Sequence, residues 1–157
     1  MVNMLVILLF NVFPMTELRI MTEKMTLLFV SGTLDKLMAG SIIASGGVAN
    51  GMDIDIFVSF WALMNFKKGQ AMNGKFSYEG AEMEKQVMDI MKKKKVAPWI
   101  ETLRSAKEIG NVKIYGCAMF ADLMEIKKEE LDPIVDDIIG VAEFVSLAKD
   151  SNMTLFI

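Results

Sequence analysis

The stretch VKIYGC at residues 112–117 decides the fold of this chain, because its apolar, β-branched character predicts a buried strand. The next residues, AMFADLM at 118–124, predict a loop that turns into a short helix. Cys117 therefore lies at the carboxyl end of a strand, where open α/β sheets bind their ligands. A helix N-terminus just beyond it favours a thiolate. The other interpretation is that Cys117 is a small buried hydrophobe, the usual role of a free cysteine.

Strands and helices alternate on both sides of this stretch. Helices of ten or more residues between strands imply parallel pairing through right-handed crossovers. The predicted fold class is therefore α/β, a three-layer α/β/α sandwich with a mostly parallel sheet of about five strands. The predicted strands are 25–30, 54–60, 112–117, 138–140 and 153–157, and the predicted helices are 34–50, 79–95, 98–110 and 141–150, with a helical turn at 127–131.

Composition excludes several classes of function. A net charge of -3 gives no broad basic surface, so nucleic acid is not an expected partner. One cysteine and no histidine exclude an intrachain disulfide, a Cys-His dyad, a Ser-His-Asp triad and a histidine metal site. The turn after the first predicted strand, SGTLDK at 31–36, matches neither the Rossmann nor the phosphate-loop glycine pattern. We expect no metal and no cofactor.

The first residues differ from the rest of the chain. Residues 4–10, MLVILLF, are continuously apolar but fall short of the roughly twenty residues that span a bilayer, so membrane association is not expected. The run also lacks the basic start of a secretory signal. We treat residues 1–20 as an apolar N-terminal extension and 21–157 as a single domain. A biological start at Met15 or Met21, a short strand and an interaction segment remain alternative interpretations of the extension.

The cysteine segment carries a family resemblance. Residues 112–126, VKIYGCAMFADLMEI, resemble the cysteine segment of the DsrE/DsrF-like family, in the subgroup with a Met-rich stretch after the cysteine. SGGVA at 45–49 resembles the subgroup's first helix, and FVSFWAL at 57–63 resembles its aromatic strand end. The resemblance covers about residues 24–157. Two positions depart from the subgroup pattern: Phe120 stands where serine is common, and Glu125 stands where glycine is usual.

The resemblance implies a sulfur relay in the cytoplasm. Cys117 then carries sulfane sulfur as a persulfide or thiosulfonate, which rhodanese-like or TusA-like proteins donate or accept. The resemblance also implies a homo-oligomer, and the 53% apolar composition and Met-rich helix 79–95 agree with that. We expect Asp122 to cap the short helix and the amides after Cys117 to stabilise its anion. The candidate substrate-pocket residues around Cys117 are Ser31, Gly32, Thr33, Phe60, Trp61, Gly116, Met119 and Asp122.

A second hypothesis comes from a different class of protein. The chain would be a non-catalytic oligomeric binding module whose Met-rich crevice binds a small apolar ligand or a partner helix, since methionine suits adaptable binding surfaces. Under this hypothesis, the Cys117 side chain would contribute only to packing in the protein interior. The rate at which the folded protein reacts with a thiol reagent separates the two hypotheses.

Overall fold

The computed structural model describes residues 22–157, and the apolar extension predicted at 1–20 lies outside the described residues. Within the described part, five parallel strands form one sheet in the order β4-β3-β2-β1-β5. The strands are β1 Lys24–Phe29, β2 Asp53–Val58, β3 Val112–Cys117, β4 Asp137–Ile139 and β5 Met153–Phe156. The predicted α/β class and parallel sheet are confirmed, and the cysteine strand lies inside the sheet between β2 and β4.

Within residues 22–157, six α-helices connect or flank these strands. They are α1 Leu34–Ala49, α2 Phe60–Asn65, α3 Glu84–Lys93, α4 Trp99–Ile109, α5 Ala118–Leu123 and α6 Val141–Lys149, with short 3-10 helices at Tyr78–Met83 and Lys128–Glu130. Gly51 follows the end of α1 with a φ of 78°, the left-handed conformation in which a glycine commonly ends a helix. No helix within residues 22–157 is both long and apolar enough to span a bilayer.

The two faces of the sheet are covered unequally. On one face, α1 packs against β1 and β2 and also against α4, and the space at Gly47 of α1 is bounded by Ile54 of β2. On the other face, Phe57 stacks on Phe144 of α6 with ring centroids 4.4 Å apart. Because successive strand residues point to opposite faces, Phe57, Ser59 and Cys117 belong to the α6 face. A nine-residue helix covers only part of that face, which leaves room for a cavity.

Most element boundaries lie within one residue of the prediction, and three departures are larger. Strand β2 ends at Val58 rather than Phe60, because Phe60 has a φ of 46° and starts α2. No loop follows Cys117, since α5 starts directly at Ala118. The helix predicted at 79–95 is α-helical only over Glu84–Lys93, with a 3-10 helix before it. Gly80 lies in that 3-10 segment, and its low helix propensity accounts for the late start of α3.

Candidate functional site

A cavity of about 340 Å³ lies on the α6 face, at the carboxyl ends of β1, β2 and β3. Cys117, the last residue of β3, is part of its wall, and the predicted position of the cysteine at a strand end is confirmed. Strands β1 and β5 and helix α6 supply the remaining sides. The lining residues are Leu28, Val30, Phe57, Ser59, Phe60, Cys117, Met119, Val141, Phe144 and Phe156.

Cys117 is the N-cap residue of α5 and is only 4% exposed. Its side chain makes no capping hydrogen bond to the helix. The expectation that the amides after Cys117 stabilise its anion therefore stays a prediction. Helix α5 has only six residues, so it offers one short turn of free amides. The walls of the cavity, rather than a helix end, define the surroundings of the sulfur.

The rim of the cavity combines rigid aromatic rings with a flexible side chain. The stacked rings of Phe57 and Phe144 are nearly parallel, with an interplanar angle of 13°. Phe156, on β5, is 74% exposed, and Met119, the second residue of α5, is 55% exposed. Methionine has three rotatable bonds, so Met119 is the lining side chain most able to move aside and expose the sulfur.

Two of the predicted pocket residues, Phe60 and Met119, line the cavity beside Cys117. Phe60 has its backbone in the left-handed region, which places its ring 5.3 Å from that of Phe120. Phe120 is buried and also meets the edge of Trp61 at 5.9 Å. The departure from serine at position 120 thus adds an aromatic cluster behind the cavity wall.

Ser31, Gly32 and Thr33 do not line this cavity. They form the turn between β1 and α1, where the hydroxyls of Ser31 and Thr33 lie 3.1 Å apart. The Asn65 side-chain amide donates to the Gly32 carbonyl at 2.8 Å. A Cβ at position 32 would stand 2.5 Å from the Trp61 carbonyl oxygen, so this glycine permits the close approach of α2. The predicted pocket role of this turn gives way to a structural one.

Three further predicted residues also lie outside the cavity wall. Trp61 points largely into solvent and is 63% exposed. Gly116 lies on the α1 face of the sheet, where a Cβ would stand 3.3 Å from Leu63. Asp122 is exposed in the last turn of α5, whose N-cap is Cys117, so the expectation that Asp122 caps this helix is wrong. Alternation along β3 explains the position of Gly116: because Cys117 faces the cavity on the α6 side, its neighbour Gly116 faces the α1 side.

Sequence reasoning missed Ser59 and the residues of α6 and β5. Ser59 is 4% exposed, and its hydroxyl makes no capping hydrogen bond although the serine is the N-cap of α2. Alternation from Phe57 would have identified Ser59 as a neighbour of the cavity. No sequence signal pointed to Val141, Phe144 or Phe156, because their place depends on where α6 crosses the sheet.

Negative charge surrounds the strand that carries the cysteine. Burial raises the pKa of the Tyr115 phenol, and the charges of nearby carboxylates raise it further. The carboxylates that act on Tyr115 are Asp55, Asp136, Glu143 and Asp137. Lys24 pairs with Asp55 at 2.5 Å, and Lys107 pairs with Asp136. Lys113 is exposed on the same face of β3 as Tyr115. No lysine or arginine is part of the cavity wall itself.

Among residues 22–157, no group of three or more cysteine and carboxylate side chains is arranged to hold a metal ion. The two aspartates at 136 and 137 have separate roles. Asp136 accepts a hydrogen bond from the backbone amide of Ile114 at 2.8 Å, and Asp137 accepts one from Ile138 at 2.8 Å. Both carboxylates therefore fasten β4 rather than converge on a common point.

Comparison with known proteins agrees with this geometry. The DsrE/DsrF/DrsH-like family matches residues 21–88 and 74–156, which together span most of the chain. The chain belongs to this family. YrkE of Bacillus subtilis (strain 168) is 33% identical over an alignment of 160 residues, and the match covers 87% of this chain and 98% of YrkE. The sulfur carrier protein DsrE2 of Allochromatium vinosum is 27% identical over an alignment of 162 residues, and the match covers 86% of this chain and 98% of DsrE2.

Solved structures share the fold of this DsrE/DsrF/DrsH-like chain. The ychN protein from E. coli superposes with a TM-score of 0.57 at 15% identity, covering 87% of this chain and all of its own. MTH1491 from Methanobacterium thermoautotrophicum, a protein of unknown function, superposes with a TM-score of 0.53 at 9% identity, covering 85% and 98%. At these identities the likeness concerns the fold alone.

Proposed function

We propose that this protein is a sulfur carrier or sulfurtransferase of a sulfur-relay pathway, with Cys117 as the sulfur-accepting residue. The observation that carries the proposal is that the only cysteine of the chain ends an inner strand at a ligand-sized cavity. Membership of the DsrE/DsrF/DrsH-like family supports it, as does the similarity to DsrE2, which is named a sulfur carrier protein.

The proposed transfer is a thiol exchange in two steps. The Cys117 thiolate attacks the outer sulfur of a donor persulfide, so a bond forms between Sγ and that sulfur. The sulfur-sulfur bond of the donor breaks, and its electron pair leaves on the donor thiolate, which takes a proton from water. An acceptor thiolate then attacks the outer sulfur on Cys117, and the Cys117 thiolate leaves. No external oxidant or reductant is consumed, because sulfane sulfur passes between thiols.

A rhodanese-like or TusA-like partner would have to reach a sulfur that is almost buried. The surface around the cavity mouth is apolar, since Met119, Val141 and Phe156 are all exposed there. Movement of the flexible Met119 side chain would widen the mouth of the cavity, and the apolar rim gives a partner a surface on which to dock. The same burial would shield a stored persulfide from oxidants between transfers.

The test is sulfur loading followed by intact-mass spectrometry. After incubation with a persulfidated rhodanese-like protein, thiosulfate or tetrathionate, wild-type protein should gain sulfur that a thiol reductant removes. Cys117→Ser keeps the side-chain shape but is a far weaker nucleophile at neutral pH, so it should gain none. Reductant-labile sulfur on Cys117→Ser, or no gain by the wild type from any donor, would contradict the proposal.

The burial of Cys117 favours one second candidate, a binding module in which the cavity holds an apolar ligand and the thiol does no chemistry. The reaction rate of the folded protein with a thiol reagent decides between them. A thiol that reacts in the folded state supports sulfur transfer. A thiol that reacts only after unfolding supports the binding module.

A further inference from the structure

We propose that the Cys117 cavity takes an uncharged, apolar organic polysulfide as its small-molecule sulfur donor and discriminates against oxyanions such as tetrathionate and thiosulfate. This inference rests on the proposed sulfur-carrier function and specifies the substrate class of the same site. The cavity volume of about 340 Å³ falls in the range of small-ligand pockets, roughly 300–1,000 Å³.

The cavity wall carries the first argument. Apart from Ser59 and Cys117, every lining residue is aliphatic, aromatic or methionine. An oxyanion that entered would lose its hydration and meet no cation, which is among the most costly transfers in a protein. A dialkyl polysulfide has no charge to desolvate, and its carbon and sulfur atoms gain contact with the stacked rings of Phe57 and Phe144.

The charges around the wall carry the second argument. Tyr115 lies two residues before Cys117 on the same face of β3, and four carboxylates raise its pKa after burial itself. Lys24 is paired with Asp55, and Lys113, which is exposed on the same face of β3, lies outside the cavity wall. An anion in the cavity therefore has no cation among the described lining residues, whereas an uncharged molecule needs none.

Ser59 carries the third argument. Ser59 lines the cavity, is 4% exposed and makes no capping hydrogen bond to α2. Among the described lining residues, it is the only one whose side chain carries a hydroxyl. One hydroxyl suits the single site of growing negative charge in a thiolate exchange, the sulfur of the leaving thiolate. It cannot satisfy the several oxygens of tetrathionate or thiosulfate.

The reaction with a dialkyl trisulfide is balanced without a co-reactant. The Cys117 thiolate attacks the central sulfur, and a bond forms between Sγ and that sulfur. One of the two sulfur-sulfur bonds of the trisulfide breaks, and its electron pair leaves on an alkanethiolate. That thiolate takes a proton from water, and Cys117 retains the central sulfur and the other alkyl-sulfur group as a mixed trisulfide.

Two disulfide reagents that differ in charge test whether the cavity selects against charged molecules. The rate constants of Cys117 with dithiodipyridine, which is uncharged, and with dithiobis(nitrobenzoate), which is doubly negative, are measured on the folded protein and on the urea-unfolded chain. Folding should raise the ratio of the rate constant for the uncharged reagent to that for the charged reagent by about tenfold or more, because only the folded cavity excludes charge. An unchanged ratio, or no reaction of the folded protein with either reagent, overturns the inference.

Variants of the wall sharpen the test. Met119→Lys places a cation at the exposed rim and should lower the ratio toward the unfolded value. Ser59→Ala should slow both reagents several-fold and leave the ratio unchanged, and its helix cap is not at risk because the hydroxyl makes no capping bond. A Met119→Lys protein that keeps the wild-type ratio contradicts the charge argument, and a Ser59→Ala protein at wild-type rates contradicts the role of Ser59.

Sulfur loading separates this inference from the proposed function. Dimethyl trisulfide and tetrathionate are compared at equal concentration by intact mass. Faster modification of Cys117 by dimethyl trisulfide supports the inference. If tetrathionate is faster, the inference fails while the sulfur-carrier function stands. If Cys117 reacts readily with both thiol reagents but gains sulfur from no donor, including a persulfidated protein, the proposed function fails.

Discussion

Glu125 has a φ of 53°, in the left-handed region that costs a residue with a Cβ about 1 kcal/mol or more. It follows the last turn of α5, where Ile126 donates its backbone N–H to the Ala121 carbonyl at 2.8 Å, as in a Schellman motif. Glycine at this position, which the family resemblance describes as usual, has no such cost. The retained glutamate therefore stores a small strain directly behind the cysteine helix.

Glu125→Gly should stabilise the protein by about 1 kcal/mol, because relief of the left-handed strain outweighs the extra flexibility of the unfolded chain. Urea unfolding measures the change. Lys95→Gly is a matched control, since Lys95 has a φ of 54° after α3 and Val96 donates to the Met91 carbonyl in the same pattern. A loss of stability in Glu125→Gly would mean that its side chain makes contacts of greater value than the strain.

At the scale of elements, the start of α1 anchors the long connection between α2 and the 3-10 helix Tyr78–Met83. Leu34 donates its N–H to the Lys75 carbonyl at 2.9 Å, and the Asp35 carboxylate accepts from the backbone N–H of Ser77 at 2.9 Å and from its hydroxyl. Burial alone would raise the pKa of Asp35, but hydrogen bonds, chiefly the two from Ser77 with further ones from Thr33 and Lys36, outweigh burial and hold that pKa below its ordinary value. The charged carboxylate of Asp35 therefore holds this connection against the start of α1.

Asp35→Asn should lower stability at neutral pH, and the difference from wild type should shrink in acid. A carboxyl whose pKa is lower in the folded state contributes stability that is complete above its unfolded pKa, about 4, and is lost as pH falls through its folded pKa. Thermal unfolding of both proteins from neutral to acid pH measures the difference. Asp122→Asn, at an exposed carboxylate on α5, is the control. A difference that is constant with pH would show that the charge of Asp35 is not what tethers the connection.

At the scale of the whole molecule, the α6 face presents much apolar surface. Val145 on α6 is 59% exposed, and exposed Val141 and Phe156 lie at the mouth of the cavity. Beside them, β5 is an edge strand with four residues that pair only with β1. Monomeric proteins seldom expose apolar patches of this kind, so we expect this face to form an interface in a closed homo-oligomer.

Light scattering at micromolar concentration should give a mass above that of one 17.6 kDa chain for the wild type. Val145→Glu should shift the protein toward the monomer, because it buries a charge in the expected interface without touching the core. Ile109→Glu is the matched control, an exposed apolar residue at the end of α4 on the other side of the sheet. A monomeric wild type, or dissociation by Ile109→Glu alone, would contradict the interface placed here.

The amino-acid sequence by itself determined the parallel α/β class and the place of Cys117 at the end of a strand. These features follow from local physics: apolar runs form buried strands, Gly51 permits the left-handed turn that ends α1, and Pro98 fits the start of α4. Phe60 and Met119 were also predictable as cavity residues, because each follows directly on a strand end of the sheet.

Only the tertiary structure decided which residues surround the sulfur. Whether Ser31–Thr33 or residues of α6 share the cavity with Cys117 depends on which helix covers which face, and that choice arises from packing between distant segments. Phe144 reaches Phe57 across 87 residues of chain, and Phe156 reaches the cavity because β5 pairs with β1. Ser59 lines the cavity because strand alternation turns its side chain inward beneath α6. Asp122 does not line it, because Asp122 lies on the exposed side of the short helix α5.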